Sequence, residues 1–289
     1  MALAGTEIAG TIPEHCKSVS FAPAHISTLF HIHPDDDPLL HGSTGLGICL
    51  PQGTYAAVER EPAKRTSISF TEGGHKVKDP VTRRAVELAL DGPEKLSFWL
   101  RRELPVGTGM GMSGATALAA CLELGVGLER ATRAAHQSEI EHSTGLGDVM
   151  AQAAALRDGP GTRLVQRRTP GVGGDVLTWP VDGQLALCLC GGGRNTSDVL
   201  KDDGWHEIIN SAATAHPLPP PTLRAFLKAG RLFSELAGLM PPESATALAE
   251  LPMGAVGTVA HLGTAVVMTD ENVSEIATEL EQFGEVRIY

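Results

Sequence analysis

Residues 105–115 read Pro-Val-Gly-Thr-Gly-Met-Gly-Met-Ser-Gly-Ala and open directly onto an Ala/Leu-rich run ending near Leu124. That run predicts a helix. Glycine is favoured where the backbone takes φ > 0 or must approach a ligand closely, and Gly107, Gly109, Gly111 and Gly114 surround Ser113 at the helix mouth. A helix start offers unpaired N–H donors and the positive end of its dipole. Loop and helix together predict a phosphate site.

Two familiar phosphate motifs fit this loop poorly. A Walker A loop requires Gly-Lys-Ser/Thr, and the stretch has no lysine. Gly109 to Gly114 does fit G-x-G-x-x-G, but a dinucleotide-binding unit requires a strand and an acidic residue soon after the helix. Here a second helix, about 128–142, follows instead. The rest of the chain sets outer limits. With Lys+Arg 23 against Asp+Glu 34, the net charge of −11 argues against nucleic acid or an anionic membrane as main partner. It leaves an anionic small ligand open, since backbone N–H groups and a few arginines hold phosphate on an acidic protein. The start, MALAGTEIAG, has neither a basic segment nor a long apolar core, so no signal peptide or membrane span is expected and the cytoplasm is. The five cysteines are scattered. Cys188-Leu-Cys190 suits neither a redox pair nor a zinc knuckle, so buried free thiols are expected.

Strands are expected at 18–21, near Ile48, and at 55–59, 66–70 and 96–100, with a polar loop and a Gly-rich turn between the first two. Helices are expected at 80–90, at 128–142 and from Gly147-Asp148 onward. Gly, Pro and Arg crowd 157–174, the expected seam. Beyond lie a strand at 185–190, a Gly-Gly-Gly-Arg turn, and helices near 196–200, 205–215, 222–238 and 243–251. The chain ends as strand 263–268, helix 272–283 and strand 285–288. Mixed strands and helices in two halves read as α+β, with domains at 1–165 and 166–289.

Phosphoryl transfer to an alcohol needs a metal to neutralise phosphate oxygens and a carboxylate to orient or deprotonate the hydroxyl. Glu139, Glu141 and Asp148 lie in SEIEHSTGLGDVMAQ. Asp148 follows a Thr-Gly-Leu-Gly turn at a helix start. From the residues alone, base and helix N-cap stand level as its role. Glu139 and Glu141 are two apart on a helix, so only one can face the loop. The His31-x-His33, Asp35–Asp37 and His41 cluster reads as a polar turn.

Pro105-Val-Gly107-Thr-Gly109-Met110-Gly111-Met112-Ser113-Gly114-Ala115 resembles the glycine loop of the GHMP small-molecule kinases. The N-terminal SFAPAHISTLFHIHPDDDPLLHGSTGLGICL resembles, within that superfamily, the archaeal pantoate kinases. Ala24 stands where those usually have glycine. TGLGDVMAQ, Arg167-Arg-Thr-Pro170-Gly171 and Leu262-Gly263-Thr264-Ala265-Val266 continue the likeness. The resemblance implies a two-domain fold, a mixed-sheet N-terminal domain followed by a ferredoxin-like one with additional helices. It also implies ATP over the loop at Pro105, Gly107, Gly109, Met110, Gly111, Met112, Ser113, Gly114 and Ala115, and Mg²⁺ on Ser113 and Glu139, with Glu141 as the fallback. It implies Asp148 as the catalytic base, and pantoate held by His25, Ser43, Ser113 and Arg167. Arg163 rivals Arg167 by spacing, a fork donor being suited to a carboxylate. A homodimer phosphorylating the 4-hydroxyl of (R)-pantoate is expected. The alternatives are a relative acting on homoserine, mevalonate or a sugar, and a non-catalytic ligand sensor.

Overall fold

The computed structural model describes residues 12–13, 16–181, 183–190, 199, 202–215 and 217–289. Two long strands, β1 (Ser20–His33) and β2 (Gly42–Pro62), pair antiparallel. After β3 (Ser67–Glu72), β4 (His75–Val77) and α1 (Pro80–Ala89), β5 (Glu94–Arg102) lies antiparallel to the later half of β2 and parallel to β3. Proline at the first turn and an Asp79 side chain accepting from the Thr82 N–H start α1. Three helices follow: α2 (Met112–Glu123), α3 (Leu128–His142) and α4 (Asp148–Asp158). The chain then returns to the sheet as β6 (Arg163–Arg167), on the first half of β2, and β7 (Val176–Pro180). The strand order is β4-β3-β5-β2-β6-β7, with β1 on β2.

The second half runs β8 (Ala186–Cys190), α5 (Asp203–Thr214), α6 (Leu223–Leu236), α7 (Pro242–Ala249), β9 (Val256–Val259), β10 (Val266–Thr269), α8 (Val273–Leu280) and β11 (Gly284–Ile288). Its sheet has the order β11-β8-β10-β9, antiparallel throughout. Counted from its own first strand this is a ferredoxin-like arrangement, with extra helices between the first two strands. The fold is therefore α+β, as expected. One apolar cluster joins the halves, Ile26, Leu46 and Ile48 meeting Leu187, Phe226, Phe233 and Val267. A second holds α1 and α2 on the first sheet through Val86, Leu118, Phe70 and Phe98. No described helix is long and apolar enough to cross a membrane.

Several sequence expectations are corrected. The strand at 18–21 and part of the loop after it form one strand running through Pro23 to His33. Proline is tolerated because, among the described strands, β1 pairs with β2 alone. The glycines at 42–47 belong to β2 and make no turn. A Cβ at Gly45 would lie 2.1 Å from the Leu29 carbonyl oxygen, and one at Gly47 2.2 Å from His25 Nε2. Those glycines mark close strand approach. The boundary at 165/166 falls inside β6, and the first sheet continues to Pro180; we propose a division between Pro180 and Ala186. The short strands β4, β6, β7 and β9 lie where no strand is expected from the sequence, β6 within the expected seam. The turn at 191–194 and the helix at 196–200 lie outside the described residues, Val199 apart.

Candidate active site

Gly107, Gly109 and Gly111 take φ of +84°, +86° and +58°, and Gly111 stands at the N-cap of α2. Among the described residues no side chain caps this helix, and its first N–H groups are open to a ligand. The loop is also tightly enclosed. A Cβ at Gly109 would meet the Ala260 carbonyl oxygen at 2.8 Å, and one at Gly111 would meet Asp148 Oδ1, Gln152 Nε2 and the His25 carbonyl oxygen at 3.1 Å. The loop thus sits between the start of α4 and the 260–263 turn of the second half, where Leu262 takes φ +62°.

Gly147, not Asp148, is the N-cap of α4. That frees the Asp148 carboxylate, and Oδ1 lies 2.6 Å from His25 Nδ1. A register irregularity of β1 falls between Pro23 and His25, directly before this imidazole. His25 is fully buried, and Arg167, at the end of β6, is 2% exposed. Arg167 Nη1 lies 3.3 Å from His25 Nε2, and Nη2 lies 3.5 Å from Ser43 Oγ. Its Nε is buried without a partner among the described residues. Arg163 instead donates to Thr178 Oγ1 at 2.9 Å, toward β7. Burial by itself would raise the Asp148 pKa; the His25 hydrogen bond and the Arg167 charge outweigh it and hold the carboxyl below its ordinary range. Burial first, and then Arg167, lower the His25 pKa against the pull of Asp148.

The two glutamates separate cleanly. Glu139 is buried, and its Oε1 accepts from Ser113 Oγ at 2.6 Å and Thr144 Oγ1 at 2.8 Å. Burial pushes its pKa up to about 7, the hydroxyl bonds opposing and the Asp148 and Asp79 charges adding. Glu141 faces outward and pairs with Arg84 at 2.6 Å. Beside these groups a cleft of about 880 Å³ is lined from both halves, by Lys78, Ser43, Ser113, Glu139, Asp148 and Leu262 among others. His25 and Arg167 lie behind this lining. Sequence reasoning missed Thr144, Gln152 and the 260–263 turn. Gln152, which donates to the Gly111 carbonyl oxygen at 2.8 Å, is one helical turn beyond Asp148, a spacing that could have revealed it.

An open helix start with two carboxylates beside it, in a cleft lined from both halves, is the arrangement expected of the GHMP class of small-molecule kinases. A solved phosphotransferase related to the CoA biosynthesis pathway superposes with a TM-score of 0.66 at 24% identity, over 94% of this chain and 98% of that one. Mevalonate kinase from Methanococcus jannaschii superposes at 0.58 and 12%, over 96% and 98%. No protein-family model matches. Pantoate kinase from Thermococcus kodakarensis is 31% identical over 253 residues, 80% of each chain. Pantoate kinase from Methanospirillum hungatei JF-1 is 28% identical over 287 residues, 94% of this chain and 93% of that protein. The chain belongs to the pantoate kinase family.

Proposed function

We propose that this enzyme transfers the γ-phosphoryl group of ATP to the 4-hydroxyl of (R)-pantoate. The observation that carries the reading is the meeting of Asp148 with the open start of α2, where Gly111 leaves only 3.1 Å between a would-be Cβ and Asp148 Oδ1. The triphosphate lies along 105–114, its charge met by backbone N–H groups. The nucleoside takes the side of the cleft bounded by Val77, Pro80 and Val106. Asp148 orients the acceptor hydroxyl and receives its proton.

Ser113 and Glu139 suit Mg²⁺: both are oxygen donors, and a buried carboxylate without a cation is costly. When bound, the ion neutralises phosphate oxygens during transfer. The buried Nε of Arg167 is a donor awaiting an acceptor. With Nη2 it forms one edge of the guanidinium fork, beside Ser43 Oγ, and that edge suits the pantoate carboxylate.

ADP release measured across pantoate, homoserine, mevalonate and galactose tests the assignment. Turnover of pantoate well above the others is expected; its absence overturns the reading. Arg167→Ala should raise the KM for pantoate about tenfold or more, the range for a lost hydrogen bond to a charged group. An unchanged KM moves the carboxylate elsewhere. Gly109→Ala forces an L-residue to φ +86° against the Ala260 carbonyl oxygen. It should cost at least about 1 kcal/mol in a urea melt and raise the KM for ATP; wild-type values for both would place the triphosphate away from this loop.

A further inference from the structure

The bond pattern around His25 determines which of its nitrogens carries the proton. An arginine can only donate. With Arg167 Nη1 at 3.3 Å, His25 Nε2 must be the acceptor, so the proton sits on Nδ1 and is donated to Asp148 Oδ1 at 2.6 Å. The ring is therefore a neutral bridge between a buried cation and a carboxylate. An imidazolium would turn an N–H toward the guanidinium in a fully buried position. The ring is also closely seated, since a Cβ at Gly47 of β2 would come within 2.2 Å of Nε2. Arg167 has its two sides differently engaged. Nη1 is committed to His25, while Nε has no partner among the described residues and lies behind Gly147 and Ser43, which line the cleft.

We propose that His25 is a positioning residue that couples the carboxylate seat to the base, Arg167 holding the substrate carboxylate on its Nε/Nη2 edge and His25 on Nη1, while His25 Nδ1–H fixes Asp148 so that Oδ2 meets the acceptor hydroxyl. The inference rests on the reading of Asp148 as base and of Arg167 with Ser43 as carboxylate seat. It differs from the sequence expectation that His25 touches substrate: the ring lies behind Asp148 and acts through it. An acceptor without a carboxylate then leaves the relay slack, so the carboxylate contributes to turnover as well as to binding.

Three measurements on the full chain test this. In ¹⁵N-histidine NMR, with His25 assigned by its loss in His25→Asn, Nδ1 should carry the proton and Nε2 should not. The Nε2 resonance should move when pantoate is added. A proton on Nε2, or an imidazolium, overturns the proposal. In kinetics, Asn keeps an N–H for Asp148 whereas Ala does not. His25→Asn should stay within about tenfold of wild-type kcat and His25→Ala should fall about 100-fold, the ATP KM being unchanged in both. Equal kcat in the two variants overturns it, and if the alanine variant fails to fold, the Asn variant and the NMR decide. Finally, the diol in which a hydrogen replaces the pantoate carboxylate should show a lower kcat than pantoate with the wild type, and a smaller deficit with His25→Asn. A diol kcat equal to that of pantoate, with only KM raised, overturns the coupling. Should the wild type fail to turn over pantoate at all, the functional assignment fails instead, and the tautomer is still read directly.

Discussion

Asp148→Asn is expected to lower kcat about 1,000-fold, within the range that general acid–base groups supply, while leaving the thermal melt close to wild type. The substitution is nearly isosteric. An amide oxygen can still accept from His25 Nδ1–H, so the contact between β1 and α4 survives. What is lost is the charge and the proton acceptor. The surroundings keep this carboxyl ionised, since His25 and Arg167 outweigh its burial. About a fifth of its side chain is exposed to the cleft, enough for a hydroxyl to reach it. The KM for ATP should hold, because the loop at 105–114 is unchanged. ADP release at saturating pantoate measures the effect, and a variant retaining more than about a tenth of wild-type turnover excludes Asp148 as base.

The parts of this site legible in the sequence are those built from local chain. The glycine loop and its helix occupy consecutive residues, and their conformation follows from backbone freedom and helix periodicity. The choice between Glu139 and Glu141 could have been made from the same kind of pattern. Ala131, Ala135, Ser138 and Glu139 are all buried and lie on one face of α3, and Glu141 falls off it. Other features depend on which distant strands meet. The partner of His25 is 123 residues away, and no spacing rule reaches that far. Arg163 and Arg167 share one face of β6, so periodicity cannot separate them. Register does: Arg163 stands opposite Cys49 and Arg167 opposite Gly45. The length of β1 and β2 was hidden for the same reason. Glycines that permit close strand approach look, in sequence, like glycines that permit a turn.

Glu139→Gln should separate stability from activity. In the metal-free protein this carboxyl is raised from 4.5 to about 7, chiefly by burial. Its folded pKa lies above its unfolded one, so the folded state binds the extra proton between those values. Stability from this group is full below the unfolded value and falls as pH rises, until above about pH 7 the buried charge costs on the order of 3 kcal/mol. Glutamine removes that cost and keeps an oxygen where Oε1 accepts from Ser113 and Thr144. The variant should therefore melt several degrees higher than wild type at about pH 8, at roughly 2–4 °C per kcal/mol for a chain of this size. The advantage should vanish near pH 5, where wild-type Glu139 holds its proton in the folded state. Over the same comparison kcat should fall about 100-fold, since an amide cannot supply the anionic oxygen that a divalent cation takes. If the variant melts no higher than wild type at the upper pH, Glu139 is not the destabilised acid that its burial makes it. If it turns over normally, the divalent ion is held by other oxygens.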